Sequence, residues 1–322
     1  MIFQVDRRTF LKHATQASGL VATGATLQAL LAACSLDISN PDTTGPAATA
    51  ATGSSSTPQK IEAKGLKTAG LLQWGSSSNG GAPYVFPDPD AATPTPTQLV
   101  GFELEIANAI ATAMGIKAKQ VETDHGQLTD ALQTNNFDAI MNGWEATDER
   151  RSTELFSQPY YRSGQQIVVR SNDTRFAGKT AQDTLTLKVL EGHTIGASLG
   201  SKAAVMLGQN PKITLKTYDS DILFNDLVTG TLDAMLIDFP LATYNILGIG
   251  PASTKEAKLK LIGQPLGTSD YVLAYNKSSA NAAVLQKEVD LAIAQIKNDG
   301  TLHEILDRWG LWNTQQAGIG TK

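Results

Sequence analysis

Cysteine is nearly absent from this 322-residue sequence, which contains only Cys34, so no internal disulfide can form. Blocks of like charge and heptad repeats are absent too, which argues against a charged interaction tail and against a coiled coil. The uncharged segment 14–33 is interrupted by Thr, Gln, Ser and Gly, which argues against a transmembrane helix. Apolar residues still make up 41% of the chain, so its length and composition allow two packed domains.

The N-terminal region has the order of an export signal. Twin arginines in DRRTFLK (6–12) precede the weakly apolar segment 14–33, which ends in small residues before Cys34. The arginine pair resembles a signal of the twin-arginine route. The LAAC ending (31–34) resembles the lipobox of bacterial lipoproteins, whose cysteine is lipidated and becomes the mature N-terminus. We therefore expect removal of residues 1–33, lipidation of Cys34, and anchoring at the outer face of the cytoplasmic membrane, or else a place in the periplasm or at the cell surface.

The charge that remains after such processing disfavours nucleic acid as a partner. Removing residues 1–33 takes away three basic and one acidic residue, which leaves 23 basic and 30 acidic residues and a net charge of −7. Phosphate binding needs a basic surface, which this balance does not favour. Residues 34–65 are rich in Ser, Thr, Ala, Pro and Gly after Cys34, so we expect a disordered tether between the lipid and a folded body that begins at Leu66.

Within the body, strand and helix patterns alternate, which predicts an α/β fold with largely parallel sheets. LKTAGLLQWG (66–75) predicts the first strand. Residues 101–115 predict a helix, because apolar residues recur on one face and Gly115 can end it in the left-handed conformation.

Two segments share one pattern of helix, polar turn, Asp-Ala and apolar strand: LTDALQTNNFDAIMNG (128–143) and LFNDLVTGTLDAMLID (223–238). Their aspartates are Asp138 and Asp233, and the repeat suggests two lobes of similar build. Ligands of open α/β sheets bind beyond the carboxyl ends of the strands. We therefore expect a cleft between the lobes at residues 142–145 and 237–240.

The C-terminal region predicts two helices. An apolar stripe on the first is formed by Leu285, Val289, Ala292, Ile293 and Ile296. Asn298-Asp299-Gly300 interrupts the pattern, and Thr301 with Glu304 then has the spacing of a capping box for a last short helix.

Five segments in order resemble the polar-amino-acid-binding proteins that feed bacterial ABC importers. They are LVGFELEIANAIA (99–111), LTDALQTNNFDAIMNG (128–143), TDERRSTELFSQPYYRSGQ (147–165), TLDAMLIDFPLATY (231–244) and LAIAQIKNDGTLHEILDRWG (291–310). The resemblance covers roughly Leu66 to Trp312. It implies a two-lobed periplasmic-binding-protein (Venus-flytrap) fold that closes over its ligand by hinge motion.

The same resemblance implies a division of the chain. Lobe 1 would comprise 66–170, lobe 2 would comprise 171–264, and residues 265–312 would return to lobe 1 and carry its last two helices. The two crossings would lie near 166–171 and 265–269, and residues 313–322 would form a tail. The implied partners are a free amino acid or similar small zwitterion, a permease with a cytosolic ATPase, and the membrane through the lipid anchor.

The resemblance also implies roles for individual residues. Arg150 stands where the family arginine grips the ligand's α-carboxylate, a task for which a bidentate guanidinium is suited. Thr147 would cap the helix that presents it. Asp238 matches the aspartate that accepts the α-ammonium group, although a helix cap before Pro240 is an alternative role. Ser201 and Lys202 stand at the helix N-terminus whose backbone N–H groups meet the carboxylate.

Two charged residues depart from the family pattern. The family commonly has a small hydroxyl residue in place of Glu145 and a threonine in place of Lys202. Glu145 would either meet a cationic group of the ligand, which favours a basic amino acid, or pair with Lys202 across the closed cleft, which leaves the substrate class open. Offsetting charges favour the pair.

The aromatic positions of the family depart as well. They align with Gly81 and His125, so the aromatic sandwich around the ligand side chain is weakened and is replaced by Trp144 or Tyr84. His125 is equally well explained as a solvated loop residue. Asn142, Gly143 and Ser78 complete the residues that we expect around the ligand.

No enzyme motif is evident, since the sequence has no GxSxG, no metal-ligand spacing, and scattered histidines. We therefore expect a binding protein without cofactor or metal. One alternative is a dehydratase-like enzyme of the same fold, with Glu145 as proton donor. Another is a ligand-binding sensor that contacts a membrane receptor instead of a permease.

Overall fold

The structure, a computed structural model, describes residues 61–91, 98–219 and 221–321. The predicted export signal (1–33), Cys34 and the tether up to residue 60 lie outside these ranges. Among the described residues, no helix combines the length and apolar character that a bilayer crossing needs.

The elements follow one another as three groups along the chain. The first group contains β1 (Leu71–Ser76), β2 (Phe86–Pro87), β3 (Leu99–Val100), α1 (Phe102–Ala113), β4 (Lys117–Glu122), α2 (Leu128–Gln133), β5 (Ala139–Ile140) and β6 (Glu154–Phe156). The second contains β7 (Tyr161–Arg170), β8 (Thr194–Ser198), α3 (Lys202–Gly208), β9 (Thr214–Tyr218), α4 (Ile222–Thr229), β10 (Ala234–Asp238), α5 (Phe239–Ala242) and β11 (Leu259–Tyr271). The third contains β12 (Ala274–Asn276), α6 (Ala282–Asn298) and α7 (Thr301–Arg308).

Two five-stranded mixed sheets organise these elements into two lobes. The first sheet has the order β4-β1-β5-β12-β6, with β1 parallel to β4 and β5 and with β12 antiparallel to its two neighbours. The second has the order β11-β7-β10-β8-β9, with parallel pairing among β10, β8 and β9. This is the two-lobed α/β architecture predicted from the sequence, but the sheets are mixed and not largely parallel, because β12 joins the first sheet antiparallel and β7 and β11 join the second antiparallel.

The predicted repeat corresponds to one recurring piece of geometry. Asp138 accepts a hydrogen bond from the N–H of Gln73 at 2.8 Å, and its own N–H donates to the Gln73 carbonyl. Asp233 does the same in the second lobe, where it accepts from the Thr194 N–H at 2.8 Å and donates to the Thr194 carbonyl. Each aspartate therefore joins the start of its own strand to the neighbouring parallel strand.

Helix α1 forms where the apolar periodicity predicts it. Phe102, Ile106 and Ile110 are buried against the first sheet, and Gly115 has a φ of 69°, the left-handed conformation expected at the helix end. The stripe predicted on α6 is likewise buried. The predicted capping box of α7 is wrong: Thr301 is inside the helix, Gly300 occupies the cap position, and the Asp299 carboxylate accepts the Thr301 N–H at 3.0 Å.

The folded body begins before Leu66. Ile61 is buried in the core of the first lobe, and the N–H groups of Lys64 and Gly65 donate to the Glu288 carboxylate at 2.7 and 2.9 Å. The last residues of the expected tether, 61–65, are therefore ordered, because Ile61 is an apolar side chain that can be buried within an otherwise polar segment.

The long strands β7 and β11 pair antiparallel and carry the chain between the lobes, and we call this pair the crossing ribbon. Residues 165–169 of β7 already pair with β10 in the second lobe. The chain therefore leaves the first lobe over 161–164, earlier than the 166–171 named from the sequence. On β11 the register shifts between Ile262 and Leu266 and again before Ser269, which is the part named as the second crossing.

Candidate functional site

The two lobes meet through residues that follow their strands, and we call this region the cleft. Tyr84, Gly143 and Glu145 contribute from the first lobe, and Asp238 and Lys202 contribute from the second. The Tyr84 hydroxyl donates to Asp238 at 3.0 Å, so the lobes are in direct contact. Asn245 of the second lobe adds a side-chain bond of 3.3 Å to the carbonyl of Ala82.

Asp238 ends β10 and points its carboxylate at partners from both lobes. One oxygen accepts from the Gln165 side-chain amide at 2.6 Å, and the other accepts from the Tyr84 hydroxyl. Burial raises the pKa of Asp238, while these hydrogen bonds oppose the rise. Asp238 occupies the cap position of α5 but makes no side-chain cap bond, so its carboxylate serves the cleft and not the helix.

Tyr84 is one of several tyrosines that surround Asp238. Its hydroxyl is 3.2 Å from that of Tyr271, and its ring packs at 5.3 Å from Phe102. Tyr271 in turn packs against Tyr161, with 5.5 Å between ring centres. These rings form an apolar wall, from which the Tyr84 hydroxyl reaches the carboxylate.

The turn after β5 is held by hydrogen bonds to its backbone and side chains. Asn142 accepts from the Ser77 N–H at 3.0 Å, which links the turns after β5 and β1. Gly143 has a φ of 58°, and a Cβ there would lie 3.0 Å from the Tyr84 ring. Its N–H donates to Glu103 at 2.7 Å. The glycine is therefore required both by its backbone conformation and by the closeness of Tyr84.

Arg150 lies in a single 3₁₀ turn, Arg150–Ser152, and not in the α-helix that the sequence predicts. The Thr147 hydroxyl accepts the Arg150 N–H at 3.3 Å, but Glu149 and not Thr147 occupies the cap position of this turn, so the predicted cap is displaced. The guanidinium lies 3.6 Å from the centre of the Trp144 ring and donates from Nη1 to the Glu145 carbonyl at 2.9 Å. Its remaining N–H groups have no hydrogen-bond partner among the described residues, so they are available to an anion.

Trp144 and His125 lie behind Arg150. Trp144 is 3% exposed and packs in the first lobe's core, where its indole N–H donates to Glu154 at 2.9 Å. The His125 ring is 5.7 Å from the Trp144 ring. Burial, and after it Arg150, lowers the pKa of His125. In this geometry Trp144 supports the guanidinium with its ring face, and His125 packs beside it.

The lobe 2 helix N-terminus is held by its own side chains. Ser201 caps α3 by accepting the Ala204 N–H at 3.2 Å, and its hydroxyl donates to the Ser198 carbonyl at 2.7 Å. Lys202 reaches the crossing ribbon, where its ammonium donates to the Gly267 carbonyl at 2.6 Å.

Ser78, expected near the ligand, lies on the first lobe. Its N–H donates to the Glu122 carboxylate at 3.0 Å.

Glu145 and Lys202 form no direct ion pair among the described residues; Ser269 of the crossing ribbon connects them. The Ser269 hydroxyl donates to Glu145 at 2.5 Å and accepts from the Lys202 ammonium at 2.5 Å. Glu145 is 7% exposed. Burial, and after it the nearby Asp238, raises its pKa to about 7.

Sequence reasoning missed Glu103, Gln165, Ser269 and Tyr271. Glu103 is fully buried at the start of α1 and accepts from the Gly143 N–H and from the Tyr160 hydroxyl at 2.5 Å. Its spacing to Ile106 and Ile110 places it on the apolar face of α1, a signal that could have identified it. The other three lie on the crossing ribbon. Its two strands are distant in sequence and become neighbours only in the folded protein, so no local pattern indicates these residues.

The cleft thus contains a guanidinium with free donors and a half-buried carboxylate that accepts from a hydroxyl and an amide group. Such a pair can bind a small zwitterion, since the guanidinium pairs with a carboxylate and the carboxylate with an ammonium group.

The chain matches the family described as bacterial extracellular solute-binding proteins, family 3, over residues 76–311. It is similar to the probable amino-acid-binding protein YxeM of Bacillus subtilis, with 30% identity over 216 residues that cover 66% of this chain and 76% of the relative.

Two solved structures extend the comparison. The structure is similar to that of an ancestral arginine-binding protein bound to arginine, with a TM-score of 0.61, 27% identity, and coverage of 74% of this chain and 98% of the other. It is also similar to the ancestral amino acid-binding protein AncCDT-1, a precursor of cyclohexadienyl dehydratase. That TM-score is also 0.61, with 26% identity and coverage of 74% and 95%. The chain therefore belongs to the bacterial extracellular solute-binding proteins of family 3, among the amino-acid-binding proteins of ABC transporters.

Proposed function

We propose that this protein captures a free amino acid in the cleft and delivers it to an ABC permease, while a lipid on Cys34 holds it at the outer face of the cytoplasmic membrane. The observation that carries the proposal is that Arg150, which has free guanidinium donors, and the half-buried carboxylate of Asp238 both lie next to Glu145 at the cleft. The two groups offer opposite charges to the two ends of an α-amino acid.

The α-carboxylate would be bound by Arg150. Stacking on Trp144 and the bond to the Glu145 carbonyl fix the plane of the guanidinium, so little side-chain entropy is lost on binding. The family resemblance adds backbone N–H groups of residues 200–202, at the N-terminus of α3, as donors from the second lobe, although the Ser201 N–H donates to the Ser198 carbonyl at 3.2 Å in this structure.

The α-ammonium group would be bound by Asp238. In the present structure the Tyr84 hydroxyl and the Gln165 amide already donate to this carboxylate. An ammonium group would add a charge-assisted bond and neutralise a carboxylate whose ionised form is disfavoured by burial.

The test is Arg150→Ala in the folded body, with binding of free L-amino acids followed by calorimetry. Removing one partner of a buried charge pair costs ~2–5 kcal/mol, so we expect the affinity to fall by roughly thirty- to several-thousand-fold. Arg151→Ala is the matched control, because Arg151 is adjacent in sequence and exposed. Equal affinities of the wild type and Arg150→Ala would remove Arg150 from the site.

The anchor and the delivery step rest on the N-terminal sequence, which lies outside the described residues. Changing Arg7 and Arg8 to lysine should leave the precursor in the cytoplasm, and Cys34→Ala should give a protein that takes up no lipid. Fractionation and mass determination check both outcomes. Normal processing and membrane retention of the two variants would contradict the assignment.

A second candidate function is catalysis in the same cleft. It is favoured by one observation: the carboxyl group of Glu145 is 7% exposed at the cleft and accepts a hydrogen bond only from Ser269 among the described residues. Burial raises its pKa to about 7, which suits a proton donor at neutral pH. Ligand recovered unchanged after prolonged incubation with the protein would support binding alone, and a dehydrated product would support the enzyme.

A further inference from the structure

Lys202, the cation expected to compensate Glu145, is already occupied by the crossing ribbon. Its ammonium donates to the carbonyls of Gly267 and Thr268 at 2.6 and 3.3 Å and to the Ser269 hydroxyl at 2.5 Å. An ammonium group has three donors, and these three acceptors use all of them. Lys202 therefore ties α3 to the ribbon and has no hydrogen left for the carboxylate of Glu145.

Glu145 is correspondingly short of donors. Its carboxylate accepts one hydrogen bond, from Ser269 to Oε1, and among the described residues nothing donates to Oε2. An ionised carboxylate offers about four acceptor positions, and a buried one is costly when they stay empty. The remaining oxygen is thus ready to accept from a ligand.

The surroundings of Glu145 are rich in further carboxyl groups. Asp238 is close enough to raise the pKa of Glu145, and the buried Glu103 lies close enough to Asp238 for the two carboxyl groups to interact. The α-ammonium group of a ligand would neutralise Asp238 and its α-carboxylate would neutralise Arg150, so Glu145 would still lack a direct counter-charge. Fully buried acceptors without partners, Glu103 Oε2 and Gln165 Oε1, add to this excess of acceptors over donors.

We propose that Glu145 is the specificity-determining residue of the cleft and accepts hydrogen bonds from a cationic side chain, so that the ligands are basic amino acids. This rests on the proposed function, since it assumes that Arg150 and Asp238 hold the α-carbon end. A neutral amide side chain would gain less, because hydrogen bonds between charged partners are roughly twice as strong as neutral ones. The direct Glu145–Lys202 pair favoured by the sequence is replaced by Lys202 bound to the ribbon.

Arginine and citrulline are the sharpest probes, because they have nearly the same shape and differ in the charge of the terminal group. On the wild type we expect arginine to bind at least about tenfold more tightly than citrulline, the worth of a charge-assisted bond. Glu145→Gln should weaken arginine by about ten- to a hundredfold and citrulline by less than about threefold. Glu304→Gln removes the same charge from an exposed position on α7 and should change neither affinity.

The outcomes distinguish failure of this proposal from failure of the proposed amino-acid capture on which it rests. Citrulline or glutamine binding as tightly as arginine to the wild type, or an equal loss for both probes in Glu145→Gln, would overturn the assignment of Glu145 and leave amino-acid capture standing. No binding of any common amino acid by the folded wild type would overturn the proposed function itself. The wild-type comparison of arginine with citrulline decides the substrate class even where Glu145→Gln fails to fold.

Discussion

Glu103 lies between the Gly143 turn and Tyr160, with one carboxyl oxygen accepting two hydrogen bonds and the other without a partner among the described residues. Burial raises its pKa from 4.5 to about 7, against the opposing effect of those two bonds. Between pH 4.5 and about 7, the Glu103 carboxyl group is protonated in the folded protein and ionised in the unfolded chain. The folded state then binds more protons, so stability falls as the pH rises through this window.

We therefore expect Glu103→Gln to be more stable than the wild type at pH 8. Glutamine can still accept from Gly143 and Tyr160, but it carries no charge, so it avoids a penalty that amounts to at most about 3 kcal/mol for one carboxyl group. Urea unfolding at pH 5 and pH 8 measures the difference, with the exposed Glu304→Gln as control. A loss of stability in Glu103→Gln that is equal at both pH values would show that the ionised form is not penalised by the fold.

The sequence could place some cleft residues and not others, for a reason visible at single positions. Arg150 and Asp238 could be named because family motifs surround them, and their roles stay proposals. Tyr84 was expected only as an aromatic neighbour of the ligand side chain, and its hydroxyl donates to Asp238. Lys202 was named as a cleft residue, but its long side chain reaches carbonyls on the crossing ribbon, 65 residues away in sequence. Ser269 was missed because a serine in a strand carries no local signal, and only the meeting of three segments gives it a role.

At the level of elements, periodicity predicts long helices better than short connections. Helices α1 and α6 repeat apolar residues over several turns, so their buried faces could be predicted. The turn at Arg150–Ser152 is too short to show a period, and its helical character was overestimated. The cap of α7 was misassigned because Asp299-Gly300-Thr301 offers two candidates, and the Asp299 side chain takes the Thr301 N–H in a turn of the kind that aspartate favours.

Asp138 and Asp233 show what can be predicted by comparing the sequence with itself. A carboxylate at the start of each strand accepts an N–H from the neighbouring strand, and so fixes the register of two parallel strands that no hairpin connects. The repeated spacing of the two aspartates is visible in the sequence. The hydrogen bond that each of them makes could not be predicted, because its partner lies on a parallel strand that is distant in the chain.

On the scale of the whole molecule, the segment 313–321 joins the crossing ribbon to the first lobe. The side-chain amide of Gln316, which is 0% exposed, accepts the Arg162 N–H and donates to the Arg162 carbonyl, each at 2.9 Å. Arg162 also pairs with Asp270 on the opposite strand at 2.6 Å. At the far end of the segment, the Ile319 carbonyl accepts from the buried Lys297 of α6 at 2.7 Å. The sequence predicted only a tail here, since one glutamine gives no sign of pairing with a strand.

Gln316→Ala should therefore destabilise the protein and weaken ligand binding together. The change leaves the N–H and carbonyl of Arg162 without their partner at the point where the ribbon leaves the first lobe, which costs about 1–3 kcal/mol for each buried group left unsatisfied. Crossing segments of this kind absorb the backbone changes of hinge closure. A less firmly held ribbon should therefore lower the population of the closed form and with it the apparent ligand affinity. Urea unfolding and calorimetry on the same preparation measure both effects, and Gln315→Ala, at the exposed neighbouring position, should show neither. A stability loss in Gln316→Ala with unchanged affinity would mean that the segment 313–321 only supports the first lobe. A segment that also holds the hinge would have to affect closure as well as folding.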